Sequence, residues 1–342
     1  LRAASHPHEL VERAATLGYG ALALTDECSL AGVVKAHVAA KALGLKLIIG
    51  SEFRLEEGVK LVALAPTRAA YSELSGLISM ARRRSPKGEY RAALRDVIFH
   101  LKRCLLLWLP ERDDNATRGH GTQLARLCRS RLWLGVTHLY GNDEVNRYLE
   151  LRGLASALGL PMVACGNVQM HVAARKPLHD VFSALRHNTS IDQLGRRRLA
   201  NSQQHLRSLG RLQRLYPEQL VTETLAIAAR CEFSLEELRY QYPEEVVPPG
   251  HDANSYLRER VAAGEAERWP LGAPASIRRR IDTELALITE LHYEYYFLTV
   301  YDIVRFARER GILCQGRGSV SYTHLTLPTM STSCWCGWGG GG

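Results

Sequence analysis

Long apolar runs are missing from this sequence of 342 residues. None approaches the roughly 20 residues that a transmembrane helix needs, so the sequence predicts no membrane span. The opening residues, LRAASHPHEL, also lack the basic start and apolar core of a secretory signal. Eight cysteines are scattered along the chain, and only Cys334 and Cys336 are close together. This spacing favours reduced thiols over a disulfide framework, and we expect a cytoplasmic protein.

Charged side chains are missing from the end of the chain. Residues 320–342 contain no Asp, Glu, Lys or Arg, whereas the preceding residues contain all 44 basic and all 35 acidic ones. The segment has neither a helical nor a strand period. We interpret it as foreign or out-of-frame sequence joined to a gene fragment, and a flexible native tail is the alternative. Because the chain starts with Leu1 rather than Met, we also expect truncation at its start.

Six short apolar runs with helical patterns between most of them predict an α/β domain with a parallel sheet. The predicted strands are 21–25, 45–50, 59–66, 104–109, 132–136 and 161–165. A sheet closed into a barrel would explain why none of them resembles an amphipathic edge strand. Helices are predicted at 6–17, 29–43 and 67–82, with Ser5 as the N-cap of the first.

Polar side chains follow four of these strands. They are Asp26 and Glu27 after the first, Glu52 after the second, His138 after the fifth, and Asn167 and Gln169 after the sixth. The carboxyl ends of parallel strands share one rim, where ligand sites gather. Three acidic groups and a histidine on such a rim are candidate ligands of a divalent metal. The alternative is that they cap helices and end loops, for which Asp26 is well suited.

Beyond residue 190 the sequence becomes mostly helical. Residues 191–250 read as a helical connector followed by an extended linker, because prolines near its end exclude an α-helix. Helices are predicted at about 252–267, 275–291 and 294–309. In the second of these, Ile277, Ile281, Leu285 and Ile288 lie on one helical face.

Basic residues exceed acidic ones by 44 − 35 = 9. Much of this excess lies in three arginine triplets, at 82–84, 196–198 and 278–280. A charge run usually marks a solvated helix face. Three such runs in one chain make a phosphate-backbone partner more credible, since basic side chains supply most non-specific affinity for nucleic acid.

The sequence Gly316-Arg317-Gly318-Ser319 predicts a phosphate-binding loop. Two glycines let the backbone approach a phosphate, and successive N–H groups can form an anion-binding nest. Arg317 can donate two hydrogen bonds to phosphate oxygens, and Ser319 can donate its hydroxyl. The motif alone is weak because glycine-rich turns are common.

Its context is more specific. The segment EYYFLTVYDIVRFARERGILCQGRGS at 294–319 resembles the start of the palm in bacterial C-family DNA polymerases. LALTDECSLAGVVKAH at 22–37 and LIIGSEF at 47–53 resemble the polymerase-and-histidinol-phosphatase (PHP) domain of those polymerases. Asp-Glu-Cys at 26–28, MVACGNVQMH at 162–171 and FSLEELRYQYPEE at 233–245 resemble the error-prone branch rather than the replicative alpha subunit.

The resemblance implies a distorted seven-stranded PHP barrel, here lacking its first strand, followed by a mostly helical start of the palm. We assign residues 1–190 to the barrel, 191–250 to the connector and 251–319 to the first palm segment. The resemblance also implies a DNA-directed DNA polymerase that copies past lesions and uses magnesium. Implied partners are primed DNA, deoxynucleoside triphosphates, the sliding clamp and accessory mutagenesis proteins.

Departures from the family pattern affect both implied sites. Asp26-Glu27 stands where active PHP domains have Asp-His, and Asn167-Val168-Gln169 stands where they have Asp-x-His. In the family, a His-x-His motif lies on the first strand. Here only His6-Pro7-His8 has that spacing, and it begins a predicted helix instead. Because amides are poor divalent-metal ligands, we expect weak metal binding or none. The family's palm carboxylates lie beyond Ser319, and no acidic residue follows Glu309 here. The 342-residue chain is therefore not expected to polymerise DNA.

Two other functions remain open. A free-standing PHP phosphoesterase would need an intact cluster of His, Asp and Glu, and it would leave residues 275–319 unexplained. In the other alternative, the barrel is a non-catalytic scaffold within the polymerase. For the barrel taken alone, the sequence favours the scaffold.

Overall fold

A computed structural model describes residues 3–141, 143–238 and 244–313. The chain divides into two compact units, Leu1–Leu238 and Arg239–Gly342. The first unit contains a sheet and the helices packed against it, and the second contains three helices.

The first unit is built on a curled sheet of six strands that follow one another in chain order. The strands are β1 (Ala21–Leu24), β2 (Lys46–Arg54), β3 (Lys60–Leu64), β4 (Leu105–Trp108), β5 (Leu132–Thr137) and β6 (Met162–Cys165). All six predicted strands are confirmed. The prediction of a wholly parallel sheet is wrong at β3, which runs antiparallel to both β2 and β4. The other three pairings are parallel.

The reversal of β3 follows from its short connection to β2. Neighbouring parallel strands need a crossover of a dozen or more residues, whereas residues 55–59 are enough only for a hairpin. The turn is closed by the Leu55 N–H, which donates to the Val59 carbonyl at 2.9 Å. Gly58 has φ +79°, a left-handed conformation that glycine adopts without steric cost. The first residue of β3, Lys60, therefore lies on the rim formed by the carboxyl ends of the other strands.

Nine helices of the first unit surround this sheet in the described residues. They are α1 (Pro7–Thr16), α2 (Val33–Leu43), α3 (Arg68–Arg83), α4 (Leu94–His100), α5 (Asn115–Cys128), α6 (Glu144–Leu158), α7 (Lys176–His187), α8 (Leu209–Leu215) and α9 (Glu218–Arg230). The predicted cap of α1 is wrong by one residue, because His6 is its N-cap. The Ser5 hydroxyl lies 2.7 Å from Nδ1 of His171 instead.

The sheet buries apolar side chains on both faces. On one face, Phe53, Leu61, Leu106 and Trp108 belong to a large core that includes residues of α3, α4, α5 and α6. On the other face, a second cluster consists of Ile48, Val62, Leu64, Leu105, Trp133, Val163, Ile227 and Cys231. Its member Ile227 lies on α9, so part of the predicted connector packs directly on the sheet. Successive side chains of a strand point to opposite faces of the sheet, so alternate residues of each strand belong to different clusters.

Gly50 on β2 provides a test of this packing. A Cβ atom at Gly50 would lie 2.6 Å from the Ala63 carbonyl oxygen of β3 and 2.7 Å from Cδ2 of Leu64. Because the nearest atom is backbone, we expect Gly50→Ala to lower the free energy of unfolding by about 1–3 kcal/mol. Gly76→Ala is the control, since Gly76 lies in α3 with no atom within 4 Å of the added Cβ. It should raise stability by about 0.5–1 kcal/mol. Urea unfolding that shows equal effects for both variants would contradict the β2–β3 register.

The second unit is a three-helix cluster. Its helices are α10 (Ala253–Arg268), α11 (Ala275–Glu290) and α12 (Glu294–Glu309), in agreement with the three predicted helices. Their shared core contains Leu257, Val261, Ile281, Leu285, Ile288, Phe297 and Leu298. Ile277 packs against it, which confirms the apolar face predicted for α11. Across all described residues of both units, no helix is long and apolar enough to cross a membrane.

Candidate functional site

The carboxyl ends of β1, β2, β4, β5 and β6 and the start of β3 form one rim of the first unit. Asp26, Glu27 and His138 lie just beyond the ends of β1 and β5, as predicted. The prediction that Glu52 follows its strand is wrong, because β2 continues to Arg54 and Glu52 lies within it, near its carboxyl end. Each of these four residues has its own local partner. Lys60, which the sequence analysis did not single out, lies on the same rim.

Asp26 holds the start of α2. Its carboxylate lies close to the backbone of Gly32, the N-cap residue of that helix, where an added Cβ atom would be 2.7 Å from Oδ2 of Asp26. Burial raises the pKa of Asp26, and a backbone hydrogen bond from Gly32 opposes that rise. Asp26 is thus placed beside the first turn of α2, although the N-cap residue of that helix is Gly32.

Glu27 belongs to a network with the end of α3 and the loop that follows. The Tyr90 hydroxyl donates to Oε1 of Glu27 at 2.7 Å. Arg82 donates to the backbone carbonyls of Glu27 and Cys28 at 3.2 and 3.1 Å, and its guanidinium lies over the Tyr90 ring. Burial raises the pKa of Tyr90, so it remains a hydrogen-bond donor to this carboxylate at neutral pH. These contacts tie the loop after β1 to α3.

Glu52 lies between two cations. Its Oε2 is 3.0 Å from Nζ of Lys60, and its Oε1 is 3.6 Å from Nε of Arg54. The register pairs Arg54 with Lys60, so Glu52 and Lys60 are diagonal neighbours on the same face of the hairpin. The side chains of Glu52 and Lys60 are each only 14% exposed.

Lys60 also contacts the opposite flank of the rim. Its Nζ lies 3.5 Å from Oδ1 of Asn167, which follows β6 in a left-handed backbone conformation. Nearby, burial raises the pKa of the Cys165 thiol to about 12, and the positive charge of Lys60 opposes that rise. Lys60 therefore interacts with Glu52 near the end of β2 and with residues at the end of β6 and just after it.

His138 is held by aromatic rings and backbone hydrogen bonds. Its Nδ1 is 3.6 Å from Oε2 of Glu144, and its ring packs on Tyr148 and Tyr216. The His138 N–H donates to the Tyr216 hydroxyl at 3.0 Å, and that hydroxyl donates to the Cys165 carbonyl at 2.8 Å. Burial raises the pKa of Tyr216 to about 12. Tyr216 thereby fastens the ends of β5 and β6 to each other.

The remaining motif residues have structural partners as well. The Gln169 backbone accepts from the Ala4 N–H at 2.7 Å and donates to the Gln204 carbonyl at 2.9 Å. His6 and His8 stack on each other at the start of α1, with ring centroids 5.5 Å apart. The predicted helical location of the His6-Pro7-His8 motif is confirmed.

The rim does not fit a divalent metal. Within residues 3–141, 143–238 and 244–313, no three His, Cys, Asp or Glu side chains converge as metal ligands would. The four candidates lie against other groups, namely Gly32, Tyr90, Lys60 and Glu144. The ammonium group of Lys60 contacts both the Glu52 carboxylate and the Asn167 amide oxygen.

The arginine triplets are partly structural. Arg84 pairs with Asp96 at 2.8 Å, and Arg198 pairs with the buried Asp180 at 2.8 Å. In the second unit, Arg278 pairs with Glu265 at 2.7 Å. Each triplet also has an exposed member outside these pairs, namely Arg83, Arg197 and Arg279. Only part of the basic excess is thus available to a phosphate backbone.

The predicted phosphate loop, Gly316 to Ser319, lies outside the described residues, and so does the segment 320–342. Both assignments remain predictions from the sequence.

Comparison with known proteins adds independent information. A PHP domain model matches residues 1–111, and a model described as the bacterial DNA polymerase III alpha NTPase domain matches residues 255–326. The error-prone DNA polymerases of Teredinibacter turnerae and Saccharophagus degradans are each 53% identical to this chain over 321 residues, covering 94% of it. That of Dechloromonas aromatica is 50% identical over 326 residues. The chain spans 31–32% of the length of these relatives.

Among solved structures, an amidohydrolase from Chromobacterium violaceum aligns with this chain at 16% identity and a TM-score of 0.39. The alignment covers 49% of this chain and 84% of the amidohydrolase chain. The PHP match and the curled six-stranded sheet together confirm the predicted fold class for the first unit.

Proposed function

Because this chain belongs to the error-prone DNA polymerases of the bacterial C family, we propose that it is the N-terminal part of a polymerase for DNA-damage tolerance. The whole protein would carry out template-directed nucleotidyl transfer past lesions. The single observation that carries this proposal is the order of the two matches. A PHP domain precedes a C-family polymerase segment, at about 53% identity along 94% of the chain.

The proposed chemistry divides between this chain and the rest of the polymerase. Magnesium ions, held by palm carboxylates, would supply charge neutralisation during attack of the primer hydroxyl on the nucleotide. Those carboxylates lie, by resemblance, downstream of Ser319. Within this chain, the backbone of Gly316 and Gly318 and the side chains of Arg317 and Ser319 would bind and orient the triphosphate.

Primed DNA and deoxynucleoside triphosphates are the proposed substrates, and the bacterial cytoplasm is the proposed location. The sliding clamp and accessory mutagenesis proteins are proposed partners on the basis of family resemblance alone. No membrane partner is proposed.

The test is DNA synthesis by a completed palm. Residues 1–319 joined to the downstream part of the Teredinibacter turnerae relative should extend a primer in the presence of Mg²⁺. The 342-residue chain alone should not, since it has no acidic residue after Glu309 to hold the metal pair. An inactive hybrid that is folded and binds DNA would contradict the proposed family function. Extension by the 342-residue chain, free of host polymerase, would contradict the assignment of residues 320–342.

DNA binding should depend on exposed arginines more than on paired ones. Arg279 on α11 is exposed, whereas its neighbour Arg278 is held by Glu265. If Arg279 contacts phosphate, Arg279→Gln should make the negative slope of log affinity against log salt shallower by about 0.9. Arg278→Gln, the matched control, should change the slope less. Titration of labelled primed DNA at several salt concentrations measures both slopes, and equal slopes for the two variants would contradict this assignment.

For the barrel taken alone, we propose a non-catalytic scaffold rather than a phosphoesterase. The observation that favours the scaffold is the Lys60 ammonium, 3.0 Å from Glu52 on the rim where a metal-dependent site would be expected. Such a scaffold would contact partners without hydrolysing phosphate esters.

A further inference from the structure

We infer that Lys60 is a built-in cation of the barrel rim, which binds the rim's acidic and amide oxygens in place of a divalent metal. The inference concerns the first unit only, and it holds whether or not the chain takes part in DNA synthesis.

The direction of β3 is the first step. In a wholly parallel sheet, the first residue of the third strand would lie at the opposite end from the carboxyl-terminal rim. The hairpin at residues 55–59 reverses β3 and places Lys60 opposite Arg54, at the end of β2. Val62 and Leu64, which alternate with Lys60 along β3, belong to the cluster that includes Trp133 and Val163. Lys60 therefore lies on the same face of the curled sheet as this cluster, at the rim.

The contacts of Lys60 are the second step. Its Nζ lies 3.0 Å from Oε2 of Glu52 and 3.5 Å from Oδ1 of Asn167, so one cation joins the end of β2 to the loop after β6. A metal ion bound to the same two groups would also join these flanks. Because the Lys60 side chain is only 14% exposed, it cannot swing freely into water as a surface lysine can.

Charge is the third step. Glu52 carries one negative charge and is contacted by two positive ones, Lys60 and Arg54. A divalent cation would have to separate Glu52 from Lys60 and remain close to both basic side chains. Asn167 offers a neutral amide oxygen, which compensates little of that repulsion. The local charge thus excludes a divalent ion and does not merely fail to attract one.

Manganese binding to the 342-residue protein tests the inference. Electron paramagnetic resonance of free Mn²⁺ should show no stoichiometric binding by the wild type. Lys60→Met with Asn167→Asp removes the internal cation and supplies a second carboxylate near Glu52. Relief of unit-charge repulsion in a partly buried site should raise Mn²⁺ affinity at least about tenfold over wild type. Lys87→Met, at an exposed lysine, is the control for loss of one positive charge and should leave the affinity unchanged.

Two results would overturn the inference. One is stoichiometric Mn²⁺ binding by the wild type that Glu52→Gln abolishes. The other is a folded Lys60→Met/Asn167→Asp variant that binds Mn²⁺ no better than Lys87→Met.

A measurement on the wild type alone covers the case in which the double variant fails to fold. Acetylation of Lys60, followed by mass spectrometry, should be slower than that of Lys87 and should not respond to millimolar Mn²⁺. Faster acetylation of Lys60 on addition of Mn²⁺ would mean that a metal displaces the ammonium from Glu52, which contradicts the inference. An unchanged rate supports it.

Discussion

Replacing Arg317 by alanine in the hybrid polymerase should lower kcat/KM for the incoming nucleotide by about 100-fold, the usual loss when one charge-stabilising donor is removed from a transition state. Arg317 stands between two glycines in the loop that the sequence predicts to bind phosphate. A guanidinium there can donate two parallel hydrogen bonds to triphosphate oxygens. Single-turnover primer extension at varied nucleotide concentration measures the loss.

Affinity for primed DNA should change much less than nucleotide use in this variant. The matched control is Arg308→Ala, because Arg308 lies near the end of α12 and is exposed. It removes the same charge from a nearby position and should leave kcat/KM for the nucleotide nearly unchanged. Equal losses of DNA binding and nucleotide use in Arg317→Ala would show that the loop has a structural role instead.

Strand positions could be predicted from this sequence because each strand is a short apolar run bounded by turn or polar residues. In LKLIIG at 45–50 and CLLLWL at 104–109, neighbouring residues such as Ile48 and Ile49 belong to different buried clusters. Their apolar composition predicts such burial but does not indicate strand direction. The direction of β3 therefore could not be inferred from its composition. It is determined by the length of the connection before it, because residues 55–59 can form a hairpin but not a crossover.

The rim residues illustrate a different limit. The sequence correctly placed Asp26 and His138 just after strand ends, because those positions follow from the strand pattern, whereas Glu52 lies within β2, which is longer than predicted. It could not show their partners, which come from distant parts of the chain. Tyr90, the partner of Glu27, lies 63 residues away, and the Lys60–Asn167 contact joins residues 107 positions apart. The only sequence signal for this contact was Lys60 at the start of an apolar run. Whether that lysine lies on the carboxyl-terminal rim depends on the direction of β3.

The connector contains buried residues that its average polarity does not indicate. Residues 192–232 are polar and arginine-rich on average, which is typical of a solvated helical segment. Within that stretch, Leu206, Tyr216, Leu220 and Ile227 are nevertheless buried in the first unit. The average polarity of a segment conceals a few apolar residues that are sufficient to fix it on the sheet.

Trp108→Ala should lower the free energy of unfolding of the first unit by about 3–5 kcal/mol, the usual cost of removing a buried Trp or Phe side chain from a core. Trp108, on β4, is 2% exposed and belongs to the core that α3, α4, α5 and α6 share with the sheet. Its ring lies directly against α5, where a Cβ atom added to Gly121 would be only 2.5 Å from Cη2. Truncation would leave a cavity between a strand and a helix backbone, neither of which can collapse easily.

The size of this effect matters because single domains are stable by only about 5–15 kcal/mol. Phe99→Ala is the control, since Phe99 on α4 is 73% exposed in the same unit. It should change stability by no more than about 0.5 kcal/mol. Urea unfolding followed by circular dichroism gives both values, and an unchanged slope in Trp108→Ala would show that the shifted midpoint reflects stability alone. If Trp108→Ala costs no more than Phe99→Ala, the helices do not pack on this face of the sheet as described. A loss of several kcal/mol at Trp108 alone would support the packing of these helices on this face of the sheet.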